Sequence, residues 1–159
     1  MIEIKYIYGD ATQPVGEDKK FIIHCCNSIG AWGAGFVIAL SKRWKEPEKQ
    51  YKQWYNSKQD FELGKVQYVK VEPDIVVVNM IGQKGIGSHG GVSPIRYEAI
   101  EECLEKVAKA AIFNKASVHA PKFGAGLAGG NWTKIEEIII AKLCSQDINV
   151  TVYNYERLG

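Results

Sequence analysis

Two glycine-rich segments, each placed between an apolar run and a helix-like segment, constrain the fold of this chain more than any other feature. The first, Gly30-Ala-Trp-Gly-Ala-Gly35, follows the apolar run of residues 21–26, and the second, residues 123–130, follows residues 116–120. Short apolar runs are typical of strands buried on both faces of a parallel sheet. We therefore predict two strand–loop–helix units that belong to one sheet.

The remaining segments extend this alternation of strands and helices. An edge strand is predicted over residues 2–8, a strand pair over residues 65–71 and 75–81, and a closing strand over residues 148–155. This order predicts an α/β fold with a mixed, mostly parallel sheet. In such sheets ligands bind at the carboxyl ends of the strands, where this chain places its glycine-rich loops.

Prolines and capping residues predict the helix boundaries. Pro47 is expected to interrupt the helix that follows Gly35, with a polar second helix running to about residue 56. Ser93 and Pro94 are expected to start the third helix as its N-cap and first residue. The segment Thr133-Lys-Ile-Glu136 is expected to open the last helix as a capping box.

Composition narrows the classes of protein to which the chain can belong. Its 159 residues predict one domain over residues 1–159, and 46% hydrophobic residues suffice for a sizeable core. The formal net charge of +2 argues against nucleic acid as the main partner. The four cysteines predict reduced thiols in the cytoplasm, and the absence of a Cys/His/Asp cluster with metal-ligand spacing predicts no metal. No cofactor is expected. The longest apolar runs are too short for a membrane span.

The second glycine-rich segment matches a phosphate-binding pattern. Gly124, Gly126 and Gly129 fit G-x-G-x-x-G between a strand and a helix, where the backbone can approach a diphosphate and helix N–H groups are unpaired. A dinucleotide-binding dehydrogenase is excluded, because its fingerprint belongs to the first strand–helix unit. A tight turn without a ligand is the alternative. The first glycine-rich segment favours the diphosphate, since two such loops can hold it from both sides.

Four polar residues are candidates for ligand contacts or catalysis. Asp10 follows the first strand and can accept a hydrogen bond from an exocyclic amine, although turn aspartates are commoner. His24 lies in an apolar run, where a histidine is more often a core residue with its hydrogen bonds made inside the protein. It stands three residues before Asn27, however, so its ring could reach the same cleft. His89 lies in the loop of residues 85–91, and loop histidines are better functional candidates than core histidines.

Taken together, these residues resemble a macrodomain. Gly9-Asp10-Ala11-Thr12 resembles the adenine-contacting turn of that family, and His24-Cys-Cys-Asn27 with residues 30–36 resembles the loop around the distal ribose. Residues 121–132 resemble the diphosphate loop, and Val150-Thr-Val-Tyr153 resembles the closing strand next to adenine. The matches occur in the family's order and span nearly the whole chain. The resemblance implies a three-layer α/β/α macrodomain fold that binds ADP-ribose or a close derivative.

Within the superfamily, the chain is most similar to ADP-ribose-1″-phosphate phosphatases, the Appr-1″-p processing branch. The related terminal ADP-ribose protein glycohydrolases carry an aspartate where this chain has Ala128, and Lys84 only loosely matches their catalytic lysine. This departure disfavours a lysine–aspartate mechanism. The resemblance implies hydrolysis of a group on the distal ribose, with His24 or His89 as general acid or base and Asn27 orienting that ribose.

The resemblance also implies a set of substrate-binding residues. They are Asp10, Ala11, Gly33, Gly35, Phe36, Phe123, Gly124, Ala125, Gly126, Leu127, Ala128, Tyr153 and Asn154. Two other functions use the same residues: removal of ADP-ribose from protein or nucleic-acid ends, and non-catalytic reading of free or linked ADP-ribose. An α/β domain for another diphosphate ligand is the remaining alternative.

Overall fold

A computed structural model describes residues 2–126 and 128–155 of the chain. Its strands and helices follow one another in pairs over the first half of the chain and singly from α3 onward, with one short 3-10 turn at Cys144–Gln146. In chain order they are β1 (Lys5–Tyr8), β2 (Lys19–Asn27), α1 (Phe36–Arg43), α2 (Glu46–Ser57), β3 (Val66–Glu72), β4 (Ile75–Gln83), α3 (Tyr97–Asn114), β5 (Ala116–Pro121), α4 (Trp132–Lys142) and β6 (Val150–Asn154).

The strands form one mixed sheet in the order β1-β6-β5-β2-β4-β3. Strand β3 runs antiparallel to β4, and the other neighbouring strands are parallel. The predicted mostly parallel sheet, the hairpin of β3 and β4 and the edge position of β1 are therefore confirmed. Because β1, β2, β5 and β6 are parallel, their carboxyl ends lie along the same edge of the sheet.

Helices cover both faces of this sheet and complete three layers. Side chains along β2 alternate between the faces. Ile23 packs in the core with Val107 of α3, whereas Ile22 packs on the opposite face with Leu40 of α1 and Tyr51 of α2. Full burial of each such side chain stabilises the fold by about 1.5–3 kcal/mol. The three-layer α/β/α arrangement implied by the resemblance is confirmed.

The start of α3 differs from the prediction. The helix begins at Tyr97, with Arg96 in an extended conformation as its N-cap, so Ser93 and Pro94 lie before it. The N–H of Arg96 donates to the carbonyl of Gly82 at 2.9 Å, and Ile95 forms a bridge with Gln83. Pairing with the end of β4 holds this segment extended, which local capping residues do not reveal.

Two further helix boundaries also differ. Helix α4 begins at Trp132, and its N-cap is Asn131, whose side chain accepts a hydrogen bond from the N–H of Lys134 at 3.3 Å. The predicted capping box at Thr133 is therefore wrong. Pro47 lies in the first turn of α2 and does not interrupt a longer helix, since a proline there has no intrahelical N–H partner to lose.

All four cysteines are free thiols. Across residues 2–126 and 128–155, no helix is both long enough and apolar enough to cross a membrane. The cytoplasmic location stays a prediction.

Candidate functional site

A large cavity of about 840 Å³ lies where β1, β5 and β6 end, next to α1. This is the edge of the sheet at which α/β proteins bind ligands. It contains six of the residues predicted to bind substrate: Asp10, Ala11, Gly35, Phe36, Gly126 and Tyr153. The other residues that line it are Gly9, Thr12, Ile38, Ala39, Lys42, Arg43, Pro121, Lys122 and Tyr155.

A small cavity of about 270 Å³ borders the large one along the same two loops. In the first loop, Gly35 lines the large cavity and Gly33 lines the small one. In the second loop, Gly126 lines the large cavity and Ala128 lines the small one. The two cavities therefore lie next to each other along these two loops, and together they are called the groove. Residues lining the small cavity are Cys25, Cys26, Asn27, Ala31, Trp32, Gly33, Ala34, Val37, Gln83, Ile86, Gly87 and Ala128.

A third depression, the edge groove, continues from the large cavity towards β1. It measures about 560 Å³, and it contains the predicted residues Ala125 and Asn154. Its walls are Tyr8, Pro121, Lys122, Ala125, Gly126, Tyr153, Asn154 and Tyr155. Lys122, Tyr153 and Tyr155 line both this groove and the large cavity.

The Asp10 turn forms one wall of the large cavity. One carboxylate oxygen, Oδ1, accepts hydrogen bonds from the N–H and hydroxyl of Thr12 at 2.8 and 2.7 Å. The other oxygen, Oδ2, has no hydrogen-bond partner among the described residues. Arg43 donates from Nε to Thr12 Oγ1 at 3.2 Å and so anchors the end of α1 to this turn. Asp10 is thus both a turn residue and a cavity residue with one free acceptor.

Tyr153 forms the floor of the same cavity and is held by a buried polar chain. Its hydroxyl accepts from the N–H of Val15 at 3.0 Å and lies 2.7 Å from Nδ1 of His119. The other ring nitrogen of His119 lies 2.7 Å from Ser117 Oγ. Burial lowers the pKa of His119 to about 4, so the imidazole is neutral at pH 7. No sequence pattern had singled out His119, and its place is to position Tyr153.

The glycines of the two loops fall into two groups. Gly35 and Gly124 have φ of 81° and 75°, which favours glycine, and a Cβ on Gly130 would clash with the carbonyl oxygen of Gly124. The fold itself requires these three. Gly33 and Gly126 lack a left-handed φ, and a Cβ on either would lie within 4 Å of no atom of the described residues other than its chain neighbours. Packing within the protein does not require glycine at these two positions.

Two residues that were predicted to contact substrate, Phe123 and Gly124, line none of the three depressions. Phe123 is buried in the core, and its ring packs edge-on against Trp132 at 6.0 Å. Gly124 faces the side chains of Ile95 and Ile135. The apolar interior behind the loop therefore takes the Phe123 ring, contrary to the expectation that it contacts substrate. Leu127 lies outside the described residues.

His24 is a core residue and does not line the groove. Its Nε2 lies 2.5 Å from Asn79 Oδ1. The amide nitrogen of Asn79 donates to Gln67 Oε1 at 3.0 Å, so Oδ1 is the acceptor and His24 carries its proton on Nε2. The rings of Trp32 and Phe36 cover the imidazole, and burial lowers its pKa to about 4. The expectation that His24 acts on substrate is corrected: its hydrogen bond is satisfied inside the protein.

Asn27 lines the small cavity but is engaged in shaping its own loop. Its Oδ1 accepts from the N–H groups of Ile29 and Ala31 and from the hydroxyl of Tyr51, at 3.0–3.1 Å. Its Nδ2 donates to the carbonyl of Ala31 at 2.8 Å. Asn27 therefore fixes the first glycine-rich loop, and the second hydrogen of Nδ2 has no partner within the part of the chain that the structure describes.

His89 lies at an exposed hairpin near the small cavity. Its N–H and carbonyl exchange hydrogen bonds with Val92 at 3.1 Å, and the two glycines between them have φ of 59° and 78°. Ser93 Oγ ties the end of this loop to the carbonyl of Ala128 at 2.6 Å. Ile86, earlier in the same loop, lines the small cavity, whereas His89 lines none of the three depressions.

Several residues of the site were missed by sequence reasoning. Cys25 and Gln83 line the small cavity, and burial raises the pKa of the Cys25 thiol to about 12, which keeps it neutral. Among the described residues, neither a histidine nor a carboxylate lines this cavity. Lys42 and Arg43 line the large cavity, and their position at the end of the helix after Gly35 was the available signal.

Comparisons with solved structures show strong likeness over nearly the whole chain. No family model matches. A Bacteroides thetaiotaomicron protein of unknown function is 55% identical over 96% of this chain and 98% of its own, with a TM-score of 0.94. A macrodomain protein from Streptomyces coelicolor is 46% identical over 97% of this chain and 100% of its own, with a TM-score of 0.87. Thermosipho africanus DarTG in complex with ADP-ribose shares the fold at 17% identity, over 87% of this chain and 39% of its own, with a TM-score of 0.68.

Curated relatives are similar at lower identity. Chromodomain-helicase-DNA-binding protein 1-like from Danio rerio is 35% identical over 97% of this chain, and the chain spans 16% of that protein's length. An ADP-ribose 1″-phosphate phosphatase from Candida glabrata is 26% identical over 96% of this chain and 99% of its own length. The 46% identity to a macrodomain protein extends over nearly the full length of both chains, and it accompanies a three-layer fold with a groove at the strand ends. This chain therefore belongs to the macrodomain family.

Proposed function

We propose that this chain binds ADP-ribose along the groove formed by the large and small cavities. Adenosine occupies the large cavity, where the free Oδ2 of Asp10 accepts a hydrogen bond from the adenine amine. The diphosphate lies between Gly35 and Gly126, and the distal ribose enters the small cavity beside Asn27. The combined volume, about 840 and 270 Å³, is ample for a ligand of this size.

The observation that carries this proposal is the pair of glycines at 33 and 126. Neither needs glycine for its φ or for contacts within the protein. Glycine is the residue that lets a ligand approach the backbone closely. Gly126 lines the large cavity beside the proposed diphosphate, and Gly33 lines the small cavity beside the proposed distal ribose, so a ligand that spans both cavities can approach the backbone closely at both loops. The Thermosipho africanus relative holds ADP-ribose in its solved structure, which supports the same ligand here.

Replacing Asp10 with asparagine tests the adenosine end. In Asp10→Asn the side-chain oxygen still accepts from Thr12, whereas the free oxygen becomes an NH₂ group that repels the adenine amine. Titration calorimetry is expected to show a loss of ADP-ribose affinity of about 10- to 150-fold, since hydrogen bonds to charged groups contribute about 1.5–3 kcal/mol. Asp60→Asn, in an exposed turn after α2, is the matched control. Equal affinity for ADP-ribose, NAD and ADP in the wild type would instead indicate a general diphosphate binder.

Hydrolysis of a group on the distal ribose is the second proposed function, with a 1″-phosphate as the first substrate to test. Relatives named ADP-ribose 1″-phosphate phosphatase match 86% and 96% of this chain, which supports that choice. Since His24 is covered and the Cys25 thiol is neutral, the general acid or base falls to His89, whose loop borders the small cavity. Asn27 holds the loop around the ribose, and backbone N–H groups contribute most of the stabilisation of developing charge.

Phosphate release from ADP-ribose-1″-phosphate tests this second function. Wild type is expected to release phosphate, and His89→Ala to lose about 100-fold in rate, the usual contribution of a general acid or base. Phe113→Ala, at an exposed position on α3, serves as a control for surface substitution. Tight ADP-ribose binding without release would favour a non-catalytic reader. Release of ADP-ribose from modified protein or nucleic-acid ends, without phosphate release, would favour the ADP-ribosyl hydrolase.

A further inference from the structure

Gln83 is the last residue of β4, and it lines the small cavity. Its backbone is fixed by two neighbours, since its carbonyl accepts from the N–H of Ser28 at 2.8 Å and it forms a bridge with Ile95. Its side-chain Nε2 donates to the carbonyl of Gly85 at 2.9 Å. Because a carbonyl oxygen only accepts, this bond orients the amide and leaves Oε1 as its free end.

Oε1 of Gln83 differs from the other polar side-chain atoms of the small cavity. Asn27 Oδ1 already accepts three hydrogen bonds, and Trp32 Nε1 donates to Ser41 Oγ at 2.8 Å. The other described residues in the lining are cysteines, glycines and apolar residues. Within the described part of the lining, Gln83 Oε1 is therefore the side-chain oxygen that remains free to accept a hydrogen bond.

A free donor lies beside this free acceptor. Asn27 and Gln83 are partners in the register of β2 and β4, and neighbouring strands are about 4.8 Å apart. Asn27 offers the second hydrogen of Nδ2, and Gln83 offers Oε1. The two amides can therefore serve different groups at the same point of the cavity, a ribose hydroxyl at Asn27 and a water molecule at Gln83.

Resting on the proposed hydrolysis at the distal ribose, we propose that Gln83 is the residue that positions the attacking water. Its Oε1 accepts a hydrogen bond from one O–H of the water and so directs an oxygen lone pair towards C1″. The water oxygen bonds to C1″ while the bond from C1″ to the departing phosphate or carboxylate oxygen breaks, and the electron pair leaves on that oxygen. One water proton stays on the new C1″ hydroxyl, and the other passes through His89 to the leaving group.

Attack at C1″ rather than at phosphorus follows from the charges around the small cavity. Among the described residues, neither a lysine nor an arginine lines it. Phosphoryl transfer relies on cationic groups around the phosphorus, whereas attack at C1″ needs an oriented water and a leaving group. The same step then applies to a 1″-phosphate and to an ester between ADP-ribose and a protein carboxylate.

Steady-state kinetics test this role on whichever proposed substrate the wild type hydrolyses, ADP-ribose-1″-phosphate or an ADP-ribosylated protein. Gln83→Met keeps the length of the side chain and removes both polar atoms. It is expected to lower kcat about 100-fold, the effect of misplacing a reacting group by about 1 Å, with ADP-ribose affinity unchanged in titration calorimetry. Gln83→Glu keeps an acceptor oxygen beside the water and is expected to recover most of kcat.

Ser28→Ala is the matched control for anchoring of the loop. Ser28 Oγ accepts from the N–H of Gly85 at 2.9 Å, so it holds the same residue as Gln83 Nε2 without offering an acceptor to the cavity. This variant is expected to keep the wild-type kcat. A loss as large as that of Gln83→Met would show that Gln83 only anchors the loop, and the inference would be overturned.

The remaining outcomes separate this inference from the proposed functions. A wild-type kcat in Gln83→Met, or a Gln83→Glu variant no faster than Gln83→Met, overturns the role of Gln83 while hydrolysis stands. In water enriched in heavy oxygen, label in the released phosphate would also overturn it, because the water then attacks phosphorus. A wild type that binds ADP-ribose but hydrolyses neither substrate overturns both the inference and the proposed hydrolysis. If ADP-ribose does not bind, the proposed binding function is overturned as well.

Discussion

Replacing Gly126 with alanine distinguishes a glycine that a ligand needs from one that the fold needs. Apart from its chain neighbours, no described residue has an atom within 4 Å of a Cβ at this position, and φ is not in the left-handed region. At such a position alanine raises the free energy of unfolding by about 0.4–1 kcal/mol, because it restricts the unfolded chain. In a domain of this size, that raises the midpoint of thermal unfolding by roughly 1–4 °C.

The same methyl group is expected to weaken ligand binding. It enters the space between Gly35 and Gly126 through which the proposed diphosphate approaches the backbone. Displacing the diphosphate from its closest backbone contacts costs about 1.4 kcal/mol or more, which reduces ADP-ribose affinity about tenfold or more. Gly33→Ala is expected to act in the same way at the facing loop. Both variants therefore combine unchanged or higher stability with weaker binding.

Gly130→Ala is the matched control in the second loop, with the opposite expectation for stability. Its Cβ would clash with the carbonyl oxygen of Gly124 and lie 3.0 Å from Ile95 Cγ1. Relieving that overlap costs about 1–3 kcal/mol, which lowers the unfolding midpoint by roughly 2–12 °C. Thermal unfolding and ADP-ribose titration on the same preparations measure both quantities. A Gly126→Ala variant that unfolds below wild type, or binds ADP-ribose as tightly, refutes the reasoning.

Three further outcomes are expected. Tyr153→Phe removes the hydroxyl that pairs with the N–H of Val15 and the ring of His119. Urea unfolding is therefore expected to show a free energy of unfolding lower by about 1–3 kcal/mol. A loss no larger than that of the control Tyr68→Phe, on the far edge strand, would contradict this. Because His24 and His119 have folded pKa values of about 4, below the unfolded value of 6.5, the unfolded state takes up protons first as pH falls. Stability is therefore expected to decrease between pH 6.5 and 4, by about 2 kcal/mol per histidine from pH 7 to pH 5, and a His119→Gln variant should show a shallower pH slope. Asn131→Ala is expected to lower the free energy of unfolding by about 1 kcal/mol, because Asn131 is the N-cap of α4, and Thr133→Ala is expected to lower it much less. Equal losses in thermal unfolding would indicate that Thr133 caps the helix instead.

The elements that form the sheet could be predicted from sequence because their patterns are local and strong. The run of residues 21–26 is apolar throughout, as a strand covered on both faces requires, and β2 is the strand that neighbours both β4 and β5. Glycines placed directly after such strands predict where the backbone leaves the sheet. Strand ends of a parallel sheet share one edge, so Asp10, Gly35 and Gly126 could be placed together before any coordinates.

The parts that could not be predicted depend on contacts between distant segments. Arg96 stays extended because its N–H bonds to Gly82, and no pattern within residues 93–97 shows that partner. Phe123 follows a strand and precedes a glycine, as a ligand contact would, but its ring turns into the core towards Trp132. His119 supports Tyr153 across the sheet, a pairing set by the register of β5 against β6.

His24 shows why residue type and spacing alone do not assign catalysis. His24 lies three residues before Asn27 in the sequence, and this spacing suggested that its ring could reach the same cleft. The alternation of side chains along β2 instead places the ring on the face of the sheet that α1 and α2 cover. There Asn79, held by Gln67, presents an acceptor, and the depressed pKa follows from burial rather than from a catalytic environment. A shifted pKa marks a functional group only when that group also faces a cleft. By this criterion His24 is a structural residue, and the proposed hydrolysis has to draw its proton transfer from another group, for which the 84–92 loop that borders the small cavity offers His89.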